Sequence, residues 1–152
     1  MTKTLFLIFF TAFLFSKAEA KAQYNLGKDS LYIIVDQMPE FKGGSKVFEQ
    51  YIRENLRYPE GASRVGFVAK VFVKFVIDLT GAISSPEVIR TTYRISPGSD
   101  VGNSPLVDSY IQSVEQESMR LMRLCPIWNP GENKGKKVSV TSSVTFIFEP
   151  KN

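Results

Sequence analysis

From Phe67 to Ile77 the odd positions read Phe, Ala, Val, Val, Phe, Ile, while the even ones include Lys70 and Lys74. An apolar period of two predicts a strand with one buried face, and Phe67, Ala69, Val71, Val73, Phe75 and Ile77 are expected to point inward. Asp78-Leu79-Thr80-Gly81 is turn chemistry, after which Ile83 to Tyr93 returns as an antiparallel partner. Pro86 lies inside that partner and cannot donate to a ladder, which places the strand at a sheet edge. A second alternation sets Val138, Val140, Val144, Phe146 and Phe148 against Ser139, Thr141, Ser143 and Thr145, predicting a third strand.

Helical periods occupy the gaps. Phe48, Tyr51, Ile52 and Leu56 fall at i, i+3, i+4 and i+8, with Ser45 expected as N-cap and Tyr58-Pro59 as the stop. A longer helix is expected to open at Ser104-Pro105. Its apolar stripe holds Val107, Tyr110, Ile111, Val114, Leu121, Met122 and Cys125, with Ser118 as the small gap, and Pro126 ends it. Upstream of the first helix, Tyr32 to Val35 reads as a short strand, Pro39 keeps Met38 extended, and Gly43-Gly44 permits a sharp turn. The order helix, strand, strand, helix, strand predicts an α+β, two-layer fold with two helices packed on a three-stranded antiparallel sheet.

At 152 residues and 43% apolar content, the chain has room for one compact domain, expected over residues 45–149. Residues 1–20 read as a signal peptide: Lys3, an apolar run from Leu5 to Phe15, then Ala18-Glu19-Ala20. That run of about 11 residues would span roughly 16 Å as a helix, against about 30 Å of hydrocarbon. Residues 21–44 read as a flexible lead and extended arm. Export to the periplasm is the expectation, with an inner-membrane anchor facing the periplasm as the alternative.

Loss of Lys3, Lys17 and Glu19 with the leader takes the net charge from +4 to +3. Such mild basicity lacks the stripe and stacking aromatics of a nucleic-acid face, so no nucleic-acid partner is expected. The one dense cluster, Lys134, Lys136 and Lys137, lies in a glycine turn. The chain has no histidine and one cysteine, Cys125, which removes the usual zinc sites, an internal disulfide and Ser/His or Cys/His nucleophiles. Glu115 and Glu117 are two apart on a helix and do not share a face. Gly43-Gly44 lacks the lysine and spacing of a phosphate loop. No enzyme activity, cofactor or metal is expected.

An open three-stranded sheet offers something else, since an uncovered edge presents backbone N–H and C=O groups to an extended peptide. The last strand has no interior proline and small hydroxyl side chains along one face. The expected acceptor edge is therefore Val138, Ser139, Val140, Thr141, Ser142, Ser143 and Val144, and proline at Val140 or Ser142 is expected to destroy it.

Several short motifs stand in order between about Val35 and Phe148. They are M-P-E-F-K-G-G at Met38 to Gly44, Tyr58-Pro59 followed by Ala62 and Gly66, D-L-T-G-A-I at Asp78 to Ile83, and P-I-W-N-P-G at Pro126 to Gly131. Gly135-Lys136, Val138 and the V-x-F-x-F run from Val144 to Phe148 complete the set. In this the chain resembles the TonB C-terminal domain family, in a short exported form. The resemblance implies a domain of the Gram-negative envelope whose last strand pairs with a segment of outer-membrane TonB-dependent receptors in energy-coupled transmembrane transport. Inner-membrane motor proteins and a homodimer are further partners open to such a domain. The alternative is a soluble periplasmic protein-interaction module of the same fold without energy transduction. Two features depart from the pattern: the short apolar leader with about 20 residues of arm, and the loop Arg94 to Ser104.

Overall fold

A computed structural model describes residues 31–98 and 104–150. The expected signal peptide, the lead up to residue 30 and positions 99–103 of the inserted loop lie outside the described residues.

The central hairpin forms where the alternation places it, as β3 (Val68–Ile77) and β4 (Ile83–Arg94), if the strands are numbered in chain order. Asp78 closes its turn by accepting hydrogen bonds at Oδ1 from the Thr80 hydroxyl (2.6 Å), the Thr80 N–H (2.8 Å) and the Ala82 N–H (3.0 Å). The Thr80 hydroxyl bond, with the backbone N–H groups behind it, holds the Asp78 carboxyl below its ordinary range. β7 (Lys136–Phe148) pairs antiparallel on the other side of β3, from Ile77↔Val140 to Ala69↔Phe148. Ala69, Val71, Val73, Phe75 and Ile77 are all buried, and Phe67, just before the strand, is buried with them. They meet Phe146 and Phe148 of β7, whose inward positions are the even ones, while Val140 is buried beside Gly131. Among the described residues β4 pairs with β3 alone, and it is irregular near Pro86, where Ser85 takes a positive φ of 49°. The edge expected from that proline is where the chain puts it.

The second helix, α2 (Pro105–Leu124), lies over β3 and β4 and buries Val107, Tyr110, Val114, Ser118, Leu121 and Met122. The buried Ser118 hydroxyl, the small gap in the stripe, donates to the Val114 carbonyl at 2.7 Å. The first helix, α1 (Ser45–Asn55), buries no residue fully but leans Tyr51 and Ile52 on the core. The Tyr51 hydroxyl donates to the Leu121 carbonyl of α2 (3.0 Å), and the Arg120 guanidinium donates to the Asn55 carbonyl (2.7 Å). Glu117 completes that joint, pairing with Arg120 at 2.7 Å and accepting from the Arg57 N–H at 2.9 Å. Burial pushes the Glu117 carboxyl up, yet the bonds from Arg120 and the Arg57 N–H outweigh it and hold the group below its ordinary range.

Several expectations are corrected. The sheet is not three-stranded and antiparallel; among the described residues it has five strands and is mixed. β1 (Leu31–Tyr32) adds to β7 in parallel, and β6 (Gly131–Asn133) turns back on β7 as a hairpin. A separate ribbon joins β2 (Glu40–Phe41) to β5 (Trp128–Asn129). Strands of two or three residues are too short to show a period, so alternation could not reveal them. The arm strand stops at Tyr32, leaving Ile33 and Ile34 outside it and 75% and 85% exposed. Gly44, at φ 85°, occupies the N-cap in place of Ser45, which becomes the first helical residue, and the Gly44 carbonyl accepts from the Phe48 N–H at 3.2 Å. α1 ends at Asn55, three residues before Tyr58.

Candidate functional site

β7 begins from a two-residue turn in which Lys134 (φ 51°) and Gly135 (φ 72°) both take left-handed backbone, the geometry that matches strand twist in a tight hairpin. In such a turn the flanking residues Asn133 and Lys136 face each other through their backbone groups, and alternation carries this phase along β7. Even residues then direct N–H and C=O toward β6 and, further on, toward β3. Odd residues direct theirs to the opposite margin. The hairpin bond from the Asp78 N–H to the Ala82 carbonyl (3.0 Å) sets the phase of β3 independently and agrees. Thr141, Ser143, Thr145 and Ile147 therefore turn their backbone groups away from β3.

This outer margin is not uniform. β1 occupies it at Ser139 and Val140 (Leu31↔Ser139, Tyr32↔Val140), while β6 lies on the other side, in line with β3, where Val138 is paired with Gly131. From Thr141 to Phe148 no strand lies against it among the described residues. Of the seven positions expected to form the acceptor edge, Ser139 and Val140 are thus covered by β1, Val138 is paired with β6 on the inner margin, and Thr141, Ser142, Ser143 and Val144 begin the open stretch. The stretch runs on through Thr145, Phe146, Ile147 and Phe148. The proline test moves with it: Val140 is fully buried, and Ser142 turns its N–H toward β3, so proline at either damages the ladder. Ser143 and Thr145 are the positions whose N–H a partner would use.

A groove opens beside this margin. Glu49, Ile52 and Arg53 of α1, with Leu56 just past its end, face Thr145, Ile147, Glu149 and Pro150 across a cavity of about 790 Å³. Ile52 and Leu56 are half-buried and Ile147 is 50% exposed, so the walls are apolar with charged groups at the rim. The α1 wall was not legible as part of a site, because Ile52 and Leu56 carry the same signal as any core-facing helix residue. The groove suits an extended segment that takes its main-chain bonds from β7 and lays alternate side chains against α1.

The quoted motifs converge elsewhere. Phe41 of the Met38 to Gly44 motif meets Trp128 edge-on at 5.5 Å, and their strands pair Phe41↔Trp128. Phe48 (5.0 Å) and Phe75 (5.9 Å) also set rings against the indole. Gly81 of the hairpin motif accepts from the Trp128 N–H at 2.8 Å, and a Cβ there would overlap the Trp128 carbonyl oxygen. A Cβ at Gly131 would collide with Val140 and sit tightly against Gln37 and Pro39. The Trp128 indole N–H donates to Cys125 Sγ at 3.4 Å. Burial pushes the Cys125 thiol up, against the smaller opposite pull of that bond, leaving an inert packing group. These motif residues build the frame and not the open margin. Among the described residues no three His, Cys, Asp or Glu side chains gather as metal ligands.

No family model matches the chain, and no curated protein matches it. Among solved structures it is similar to the NMR solution structure of the Helicobacter pylori TonB-CTD, with 17% identity, a TM-score of 0.39, and coverage of 68% of this chain and 78% of that one. A likeness of that size carries no inference about partners, and the functional reading below draws on this chain's own residues and geometry.

Proposed function

We propose that this protein is a TonB-like binding domain that captures an extended segment of outer-membrane transport receptors by strand addition, in energy-coupled transport across the envelope. The observation that carries the reading is the open outer margin of β7 from Thr141 to Phe148, flanked by the groove under α1. The ordered run of motifs between Val35 and Phe148 supports it from the sequence side. An open strand margin on which Ser143, Thr145 and Ile147 each turn out an N–H and a C=O supplies affinity that does not depend on the visitor's sequence, while Ile52, Leu56 and Ile147 select its side chains.

The test is a titration of the protein with a synthetic peptide copying the periplasmic N-terminal segment of an outer-membrane transport receptor. Binding to the parent and a loss of tenfold or more in Thr145→Pro, with the fold intact by circular dichroism, is the expected result. Equal affinity in the folded variant would remove strand addition at β7 as the mode of capture.

A further inference from the structure

The sheet face turned away from both helices gathers positive charge that is dispersed in the sequence. The registers Lys70↔Thr92, Phe72↔Arg90 and Val68↔Arg94 set Lys70, Arg90 and Arg94 side by side on β3 and β4. Their side chains lie opposite the buried Ala69, Val71 and Val73, and all three are exposed. Neighbouring strands are about 4.8 Å apart, so the three cations reach one anionic group or two adjacent ones. Arg90 lies over the Phe72 ring at 4.3 Å from its centre, which holds its guanidinium flat against the sheet. Lys70, Thr92 and Arg94 line a shallow hollow of about 270 Å³.

Carboxylates do not balance this face. Glu87 is engaged by Lys74 at 2.9 Å, and Glu149 lies past the end of β7, in the groove with α1. Among the described residues Lys70, Arg90 and Arg94 form no ion pair. Beside Lys70, in register on β7, sits the half-exposed Ile147. The patch is a broad, open face and not a slot, and an aliphatic side chain among cations suits a headgroup layer better than an acidic peptide. We infer that this face docks on an anionic phospholipid bilayer, with Lys70, Arg90 and Arg94 against headgroup phosphates. The face adjoins the open margin of β7 and shares Ile147 with its groove, but Lys70, Arg90 and Arg94 lie outside that groove and the inference does not rest on strand addition.

The experiment is co-sedimentation of the full chain with vesicles of phosphatidylcholine alone and of phosphatidylcholine with phosphatidylglycerol, at low and high salt. The parent is expected to prefer the anionic vesicles and to lose that preference as salt rises. In Lys70→Glu/Arg90→Glu/Arg94→Glu, shown folded by circular dichroism, partitioning to anionic vesicles is expected to fall by ~10²-fold, since each cation near such a surface contributes about a factor of five. A contribution of the apolar leader is common to both proteins and cancels. Lys134→Glu/Lys136→Glu/Lys137→Glu, at the hairpin tip, is expected to bind like the parent. The proposal is overturned if the first variant partitions like the parent, if the hairpin-tip variant loses as much, or if soluble poly-glutamate binds the patch as tightly as vesicles do. The last outcome would assign the face to an acidic protein partner.

Discussion

The first five residues of β7 and the last eight share one strand and one alternation, yet they meet opposite fates. Between Lys136 and Val140 the chain folds back on itself through β6, receives β1, and lies beside a region where Gln37 and Glu132 exchange two backbone bonds at 3.0 and 2.9 Å. Between Thr141 and Phe148 β3 closes one margin and no described strand closes the other. The difference is not one of composition. Valine and small hydroxyl residues occur in both halves. What separates them is the arm, which is held at the Trp128 end by its own pairing of Phe41 with Trp128 and reaches only as far as Tyr32↔Val140. A closed end gives rigidity, and an open margin beside it gives a rigid template for a visitor.

Breaking the closed end carries the largest effect. Gly81→Val combines a left-handed φ of 87° with overlap of the Trp128 carbonyl, and Trp128→Ala opens a hole among Phe41, Phe48 and Phe75. Each is expected to cost about 3 kcal/mol or more, read as a shift in denaturant midpoint at unchanged slope. If either variant kept the parent midpoint, the Trp128 cluster would not be the frame that holds β7.

The open margin is expected to behave in the opposite way. Thr145→Pro, with its N–H turned outward, is expected to cost less than about 1 kcal/mol in stability while lowering affinity for the receptor-derived peptide tenfold or more. Val144→Pro, one residue away, removes a donor directed at β3 and is expected to destabilise by about 3 kcal/mol. Parallel urea titrations of the two variants measure this contrast, and equal losses would mean that the phase assigned to β7 is wrong.

A smaller effect is expected where α1 is held over the groove. Glu117 has a folded-state pKa below its unfolded one, so its contribution is fully present above the unfolded value and is lost as pH falls through the folded value. Glu117→Gln is expected to lose about 1 kcal/mol at pH 7 and to show a shallower decline of stability on acidification below pH ~4.5. Midpoints measured from pH 7 to 3 test the sign. A steeper acid limb in the variant would contradict it.

The smallest change concerns the arm. Leu31→Pro is expected to cost about 0.5 kcal/mol or less, since β1 is a two-residue strand with Leu31 56% exposed, but to speed amide exchange at Ser139. Unchanged exchange there would mean that β1 does not cover that part of the margin.

The long periods were legible before any coordinates. β3, β4, β7, α1 and α2 each span ten residues or more, and their inward positions from Ala69 to Ile77 and from Val107 to Met122 follow directly from a repeat of two or of about 3.6. Pro86 announced an edge because a missing N–H is a local property. Half of the candidate site was legible in the same way, since Thr141, Ser142, Ser143 and Val144 belong to a strand without proline. The other half was not. Whether the outer strand margin is covered depends on β1, which is too short to leave a pattern, and the α1 wall of the groove looks like ordinary core packing in one dimension.

Periodicity, turn chemistry and export-like patterning are therefore properties that neighbouring residues settle among themselves, and the amino-acid order of this chain carries them in full. The convergence of Phe41, Gly81 and Trp128, the coverage of Ser139 and Val140, and the grouping of Lys70, Arg90 and Arg94 arise from contacts between positions far apart in the chain. Such contacts are fixed by strand register and by the closing of long loops, and no local pattern encodes which distant partner wins.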